Sequence, residues 1–168
     1  MDKTREIISY IINYFQCNYS NRELGKVKLV KILWFADREF MHLYYKQLTN
    51  LEYRKMPYGP MPTKIDSILK AMQKDNIIKM FKIEKIGGYT QESFLCLKEP
   101  NLNNFTAQEI NILDKIINAL HNKTAQEISE LTHDELWESI NHGEIMPIES
   151  VFLQDIIPAT KADINATD

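Results

Sequence analysis

Residues 28–62 read KLVKILWFADREFMHLYYKQLTNLEYRKMPYGPMP, and this stretch decides the fold because an apolar helix runs straight into a stiff aromatic turn. Leu29, Leu33, Ala36, Phe40 and Leu43 recur at steps of four, three, four and three, so one side of a helix is apolar for about four turns and must be buried. Lys28, Lys31, Arg38 and His42 fall mostly on the other side. The spacing therefore predicts an amphipathic helix with a solvated basic face, far too polar to cross a membrane. In Met56-Pro57-Tyr58-Gly59-Pro60-Met61-Pro62, three prolines fix φ and remove three donors, while Gly59 offers conformations that other residues avoid. Neither a helix nor a central strand is expected there. So constrained a segment holds one backbone path at low entropic cost, which suits either a fixed corner under the next helix or an exposed recognition loop.

Working outward, a chain of 168 residues with 44% hydrophobic content is about one domain long. It can bury roughly two thirds of its unfolded surface without disulfides or metals. One domain over residues 1–158 is expected, followed by a loose tail at 159–168. Cys17 and Cys96 are far apart, lie in apolar surroundings and make no metal-ligand spacing, so both read as buried thiols. The first residues mix acidic and basic groups with helically spaced apolar ones, unlike a signal peptide, and no long apolar run follows. The expected location is cytoplasmic, with no membrane partner. The net charge of −3 hides a split: residues 1–90 hold 16 Lys+Arg against 9 Asp+Glu, whereas residues 91–168 hold 4 against 14. The basic half can steer toward an acidic partner or nucleic acid, or the two halves can simply face each other.

Ile7, Ile8, Ile11, Ile12 and Phe15 define a first helix with Asp2 or Thr4 as N-cap, and polar residues 18–22 read as a short link. After the aromatic turn, Pro62 can enter the first turn of a third helix whose buried side is Ile65, Ile68, Leu69 and Met72. The period then changes, with Phe81 and Ile83 alternating with charges, a Gly87-Gly88 break, and a second run from Phe94 to Leu97, which is the signature of a β-hairpin. Thr106-Ala107-Gln108-Glu109 and Thr124-Ala125-Gln126-Glu127 are capping boxes, and Thr132-His133-Asp134-Glu135 reads as a third. Helices are therefore expected to start near residues 106, 124 and 132, with one more short apolar helix over residues 148–157. The fold class is mainly α with one β-hairpin (α+β). A core helix, then a helix from about Pro62 to Asn76, then a hairpin is also the order of a winged-helix unit.

Lys28-Leu29-Val30-Lys31-Ile32-Leu33-Trp34-Phe35-Ala36-Asp37, then Leu48-Thr49, then Met56-Pro57-Tyr58-Gly59-Pro60, resemble in order and spacing the Panacea domain of the SocA-like antitoxin family. Ile128-Ser129-Glu130-Leu131-Thr132-His133 and Trp137 resemble that family's C-terminal signature. Lys46, Gln47 and Asn50 depart from it, standing where such domains often place glycine around the Leu-Thr pair. The resemblance implies an antitoxin of a toxin-antitoxin system: a protein without catalysis of its own that neutralises a cognate toxin, encoded by an adjacent gene, by direct contact. Some relatives are proteolytic adaptors that deliver the toxin to a Clp-type protease. Tyr58, Gly59 and Pro60, with flanking Arg54 or Trp34, are the candidate contact surface, because a partner-contacting ring and a structural one are both compatible with a tyrosine in a turn.

The chemistry-bearing patterns are few. No phosphate-cradling glycine loop, nucleophile elbow or HExxH pattern is present, which removes the main support for those enzyme classes, and neither a cofactor nor a metal is implied. His133, Asp134 and Glu135 are adjacent on a helix start and point in different directions, so they do not converge on one ion. The alternative function is a winged-helix-like DNA-binding transcriptional regulator, with Lys64, Lys70 and Lys74, near Lys28, Lys31 and Arg38, neutralising phosphates. Against it, the hairpin tip carries only Lys85, beside Glu84.

Overall fold

The protein is described by a computed structural model that covers residues 1–155, without the side chains of Gln154 and Asp155. The fold is mainly α with the expected β-hairpin and, among the described residues, a second antiparallel hairpin that the sequence periods did not indicate. Ten elements carry it: α1 (Lys3–Asn18), α2 (Lys26–Tyr44), β1 (Tyr53–Met56), β2 (Gly59–Pro62), α3 (Ile65–Lys74), β3 (Ile78–Glu84), β4 (Thr90–Cys96), α4 (Ala107–Leu120), α5 (Ala125–Leu131) and α6 (Glu135–Ser139). A 3-10 segment, Ile148–Asp155, takes the place of the expected last helix, and the expected tail lies outside the described residues.

α2 runs through the middle of the molecule and packs on α1, α4, α5, β2, β4 and the Ile148–Asp155 segment. With neighbours on every side it cannot keep a solvated face. Lys28, Lys31, Asp37 and Arg38 are buried with Leu29, Leu33, Ala36 and Phe40, which corrects the expected basic surface. The expected apolar stripe holds except at its end, where Leu43 is exposed in the last turn. Each fully buried Leu or Phe here contributes at most about 1.5–3 kcal/mol over the unfolded chain.

The proline-rich stretch is a second hairpin. β1 pairs antiparallel with β2 from Tyr53↔Pro62 to Met56↔Gly59, turning at Pro57-Tyr58. Pro62 therefore ends a strand, and α3 starts three residues later at Ile65 instead of in the turn. On its far side β1 bonds the chain at 143–146: the Lys55 amide donates to the Glu144 carbonyl, the Gly143 amide to Lys55, and the Met146 amide to Tyr53. β2, which carries Pro60 and Pro62, is then the outer strand, where missing donors cost nothing.

The remaining elements follow local signals closely. Asp2 caps α1 by accepting from the Arg5 amide. Both halves of the capping box form at Thr106–Glu109 and at Thr124–Glu127. β3 and β4 pair from Ile78↔Cys96 to Glu84↔Thr90, with Gly87 and Gly88 at positive φ in the turn. Two expectations fail. α6 is capped by Asp134, which accepts from the Trp137 amide, while Thr132 ends α5. Cys17 is exposed, because it falls near the end of α1 on the side away from the core; Cys96 is buried as expected.

Candidate functional site

The buried charges of α2 each reach a segment distant in sequence, and one pair of them shapes the aromatic corner. Lys31 has 0% exposure, and its ammonium donates to the Pro60 carbonyl at 2.8 Å. A buried ammonium is tolerated only when hydrogen-bonded. Burial alone pulls its pKa from 10.5 down to about 7. The Lys31 stem also lies under Gly59, where an added Cβ would be 3.0 Å from Cε of Lys31 and 2.1 Å from Oγ1 of Thr132. Gly59 sits at φ +96°, so both its conformation and the space above it exclude a side chain. Thr132 is itself fixed, its hydroxyl donating to the Ser129 carbonyl at 2.6 Å.

Two turns along α2, Asp37 organises the loop that leads into β1. It accepts from the Thr49 amide at 2.7 Å, the Thr49 hydroxyl at 2.5 Å, the Tyr53 hydroxyl at 2.7 Å and Gln47 Nε2 at 3.2 Å. Burial pushes the Asp37 carboxyl up, and those four donors work against it by favouring the charged form. Gln47 also donates to the Leu51 carbonyl at 2.7 Å, so the residue that departs from the family pattern is built into the loop. Tyr53 is buried with its ring edge-on to Trp34, at 5.0 Å between centroids.

The corner that these anchors hold is exposed only at its tip. Tyr58 is 69% exposed, Met56 is exposed beside it, and Gly59 and Pro60 are buried beneath. Arg54 is exposed on β1, with its guanidinium donating to the Gly143 carbonyl at 3.0 Å and to Glu52 at 3.2 Å. Lys55 points to the other side, 3.8 Å over the Trp137 ring, and donates to the Trp137 and Ile140 carbonyls. His133 stacks on the same indole at 3.9 Å, which accounts for it structurally. Leu131 and Ile145 add exposed apolar surface on the two segments bonded or packed to this hairpin.

Of the residues singled out from sequence, then, Tyr58, Gly59, Pro60 and Arg54 do come together, with Tyr58 and Arg54 on the surface and Gly59 and Pro60 as its support. Trp34 does not join them on the surface: it is 2% exposed, packed between Tyr53 and the Arg38 guanidinium, which lies 5.0 Å over its ring. Lys64, Lys70 and Lys74 are exposed on α3, which packs on β3. Lys28, Lys31 and Arg38, grouped with them as phosphate contacts, are buried and cannot serve so. Sequence reasoning missed Lys31, Asp37 and Thr132 as the seat of the corner. The available signal was that apolar residues occupy every position from Ile32 to Ala36, which leaves no continuous polar face for the charges around them.

The two groups of residues that carried the family resemblance therefore meet in space through Gly59 against Thr132, and Lys55, next to the first group, lies over Trp137 of the second. No curated protein matches the chain. The family model described as "Antitoxin SocA-like, Panacea domain" matches residues 29–138, well over half of the sequence, and the chain belongs to that family.

Proposed function

We propose that this member of the SocA-like antitoxin Panacea family neutralises a cognate protein toxin by direct binding, through the surface centred on Tyr58. One observation carries the choice of surface: a large exposed ring stands on a turn whose backbone is pinned from below by Lys31, Gly59 and Thr132. A ring on a backbone fixed before binding costs less ordering when a partner covers it, and Tyr and Arg are among the residue types that most often anchor interfaces. Met56 and Arg54 supply apolar contact and charge at its sides. Occlusion of the toxin's active surface is the mechanism we favour, and delivery to a Clp-type protease is its variant.

The test is co-expression with the product of the adjacent gene, reading growth and co-purification together. Rescue of growth with a stoichiometric complex, lost in Tyr58→Ala while the variant stays folded, is the expected result. Rescue that disappears in cells lacking the Clp protease, with toxin levels restored, would assign the adaptor variant. Growth arrest unaffected by this chain would overturn the reading.

A second reading, binding of DNA by α3 and the β3–β4 hairpin, is favoured by the exposure of Lys64, Lys70 and Lys74 on that helix. The wing offers little, since Lys85 at its tip donates to the Arg22 carbonyl at 2.8 Å. Duplex binding with a steep salt slope, abolished by Lys64→Glu with Lys70→Glu, would support it.

A further inference from the structure

Thr132 closes one end of α5; at the other end a cleft of about 850 Å³ opens between the start of α2, the β3–β4 tip and the α4–α5 turn. Five basic residues line it, Arg22, Lys26, Lys28, Lys85 and Lys123, against Glu23 and Glu92. Lys26 is neutralised by an ion pair with Asp66. Lys28 is not: it is 6% exposed, and its ammonium donates to the His121 carbonyl at 2.8 Å, with no carboxylate in ion-pair reach among the described residues. Burial works against its charge, Glu23 and Glu127 lie close enough to offset part of that cost, and Lys85 adds repulsion. α2 itself starts at this cleft with Gly25, which supplies no side-chain cap, and no acidic residue stands in its first turn. Its first amides thus add positive potential to that of the lysines. The geometry is built in, because a Cβ on Gly25 would meet Cγ of Gln91 at 2.7 Å, and Gly25 bridges to Ser93 of β4.

An occupant must therefore be negative, and the depth of the charge limits its shape. Lys28 sits at the floor, where a narrow side chain can reach it and the phosphates of a stiff duplex lying across the rim cannot. The rim carries exposed Tyr89, and one wall is the Tyr19 ring stacked on His121 at 3.9 Å. We propose that this cleft is a docking groove for an extended acidic segment of a partner protein, with a carboxylate inserted beside Lys28 and an apolar side chain against the Tyr89 rim. The proposal does not depend on the toxin reading, which uses the other end of α5.

The probe is a fluorescent peptide of eight glutamates with one leucine at each end, titrated with the full chain and followed by anisotropy. A lysine peptide of the same length and a 20-base-pair duplex serve as comparisons. Binding of the acidic peptide that weakens with salt, and falls about tenfold in the Arg22→Glu, Lys123→Glu double variant, is expected. Both side chains are solvent-facing, and an unchanged thermal midpoint verifies that the variant folds. Lys64→Glu with Lys74→Glu on α3 should leave peptide affinity unchanged. If the double variant does not fold, amide shifts of Gly25, Lys28 and Gln91 in the wild-type protein on adding the peptide decide instead. No binding at low salt, tighter binding of the duplex, peptide affinity indifferent to the double variant, or amide shifts outside the cleft would each overturn the proposal.

Discussion

Gly59→Ala tests whether the corner is seated as described, and its cost can be built from three parts. Holding a residue with a Cβ at φ +96° costs about 1–2 kcal/mol. The new methyl would lie 2.1 Å from Oγ1 of Thr132, and relieving such an overlap in a packed site costs about 1–3 kcal/mol. Moving Thr132 aside strains the hydrogen bond to the Ser129 carbonyl, worth about 1 kcal/mol. Together the substitution should destabilise the protein by about 3–6 kcal/mol, a large part of the stability of an ordinary domain. Urea titration should show a lower midpoint at unchanged slope. Combining it with Thr132→Ala isolates the contact, because that change removes the oxygen while leaving the φ strain in place. The double variant should be less destabilised than the sum of the singles by about 1–2 kcal/mol. A Gly59→Ala protein within about 0.5 kcal/mol of wild type, or single costs that simply add, would refute the proposed seat.

Lys31→Met should reveal the buried ammonium through pH. Because the folded pKa, about 7, lies below the unfolded one, 10.5, the unfolded state holds more protons between those values, and stability supplied by this group rises with pH across that window. The stability difference between wild type and Lys31→Met should shift in favour of wild type by about 3 kcal/mol from pH 7 to pH 9.5 in urea titrations, and a flat difference would mean that Lys31 is not desolvated. Asp37→Asn puts an amide donor among hydroxyl, amide and Gln47 donors and should cost about 2–4 kcal/mol, with Tyr53→Phe costing about 1–2 kcal/mol by removing one of them. Tyr58→Ala should leave the urea midpoint within about 0.5 kcal/mol of wild type yet weaken toxin binding by about 2 kcal/mol or more in calorimetry, since its ring is exposed in the free protein.

Much of this architecture was legible one segment at a time. The starts of α4 and α5 follow from Thr106 and Thr124, each with a glutamate three residues on, because a capping box is satisfied within four residues and needs nothing from the rest of the chain. The same holds for the Gly87-Gly88 turn and the alternation beside it. The apolar stripe of α2 was visible in its spacing, and the family in a series of short motifs. The role of those motifs was not, because each acts across a separation in sequence: Lys31 reaches Pro60, Asp37 reaches Tyr53 and Lys28 reaches His121.

The sequence by itself determined α1, α2, α4, α5 and the β3–β4 hairpin, since local hydrogen bonding and side-chain period decide those, whereas the β1–β2 hairpin was set by its pairing with the chain at 143–146. Tertiary structure alone decided which charges are buried and which aromatic ring is presented. Trp34 and Tyr58 are both large aromatic side chains, yet one is buried against Tyr53 and the other faces solvent. Thr132 could have capped the next helix, but its place at the end of α5 against Gly59 left that role to Asp134. The reason is the same in each case: burial belongs to the assembled packing around α2, and a residue's own neighbours in sequence do not specify what will cover it.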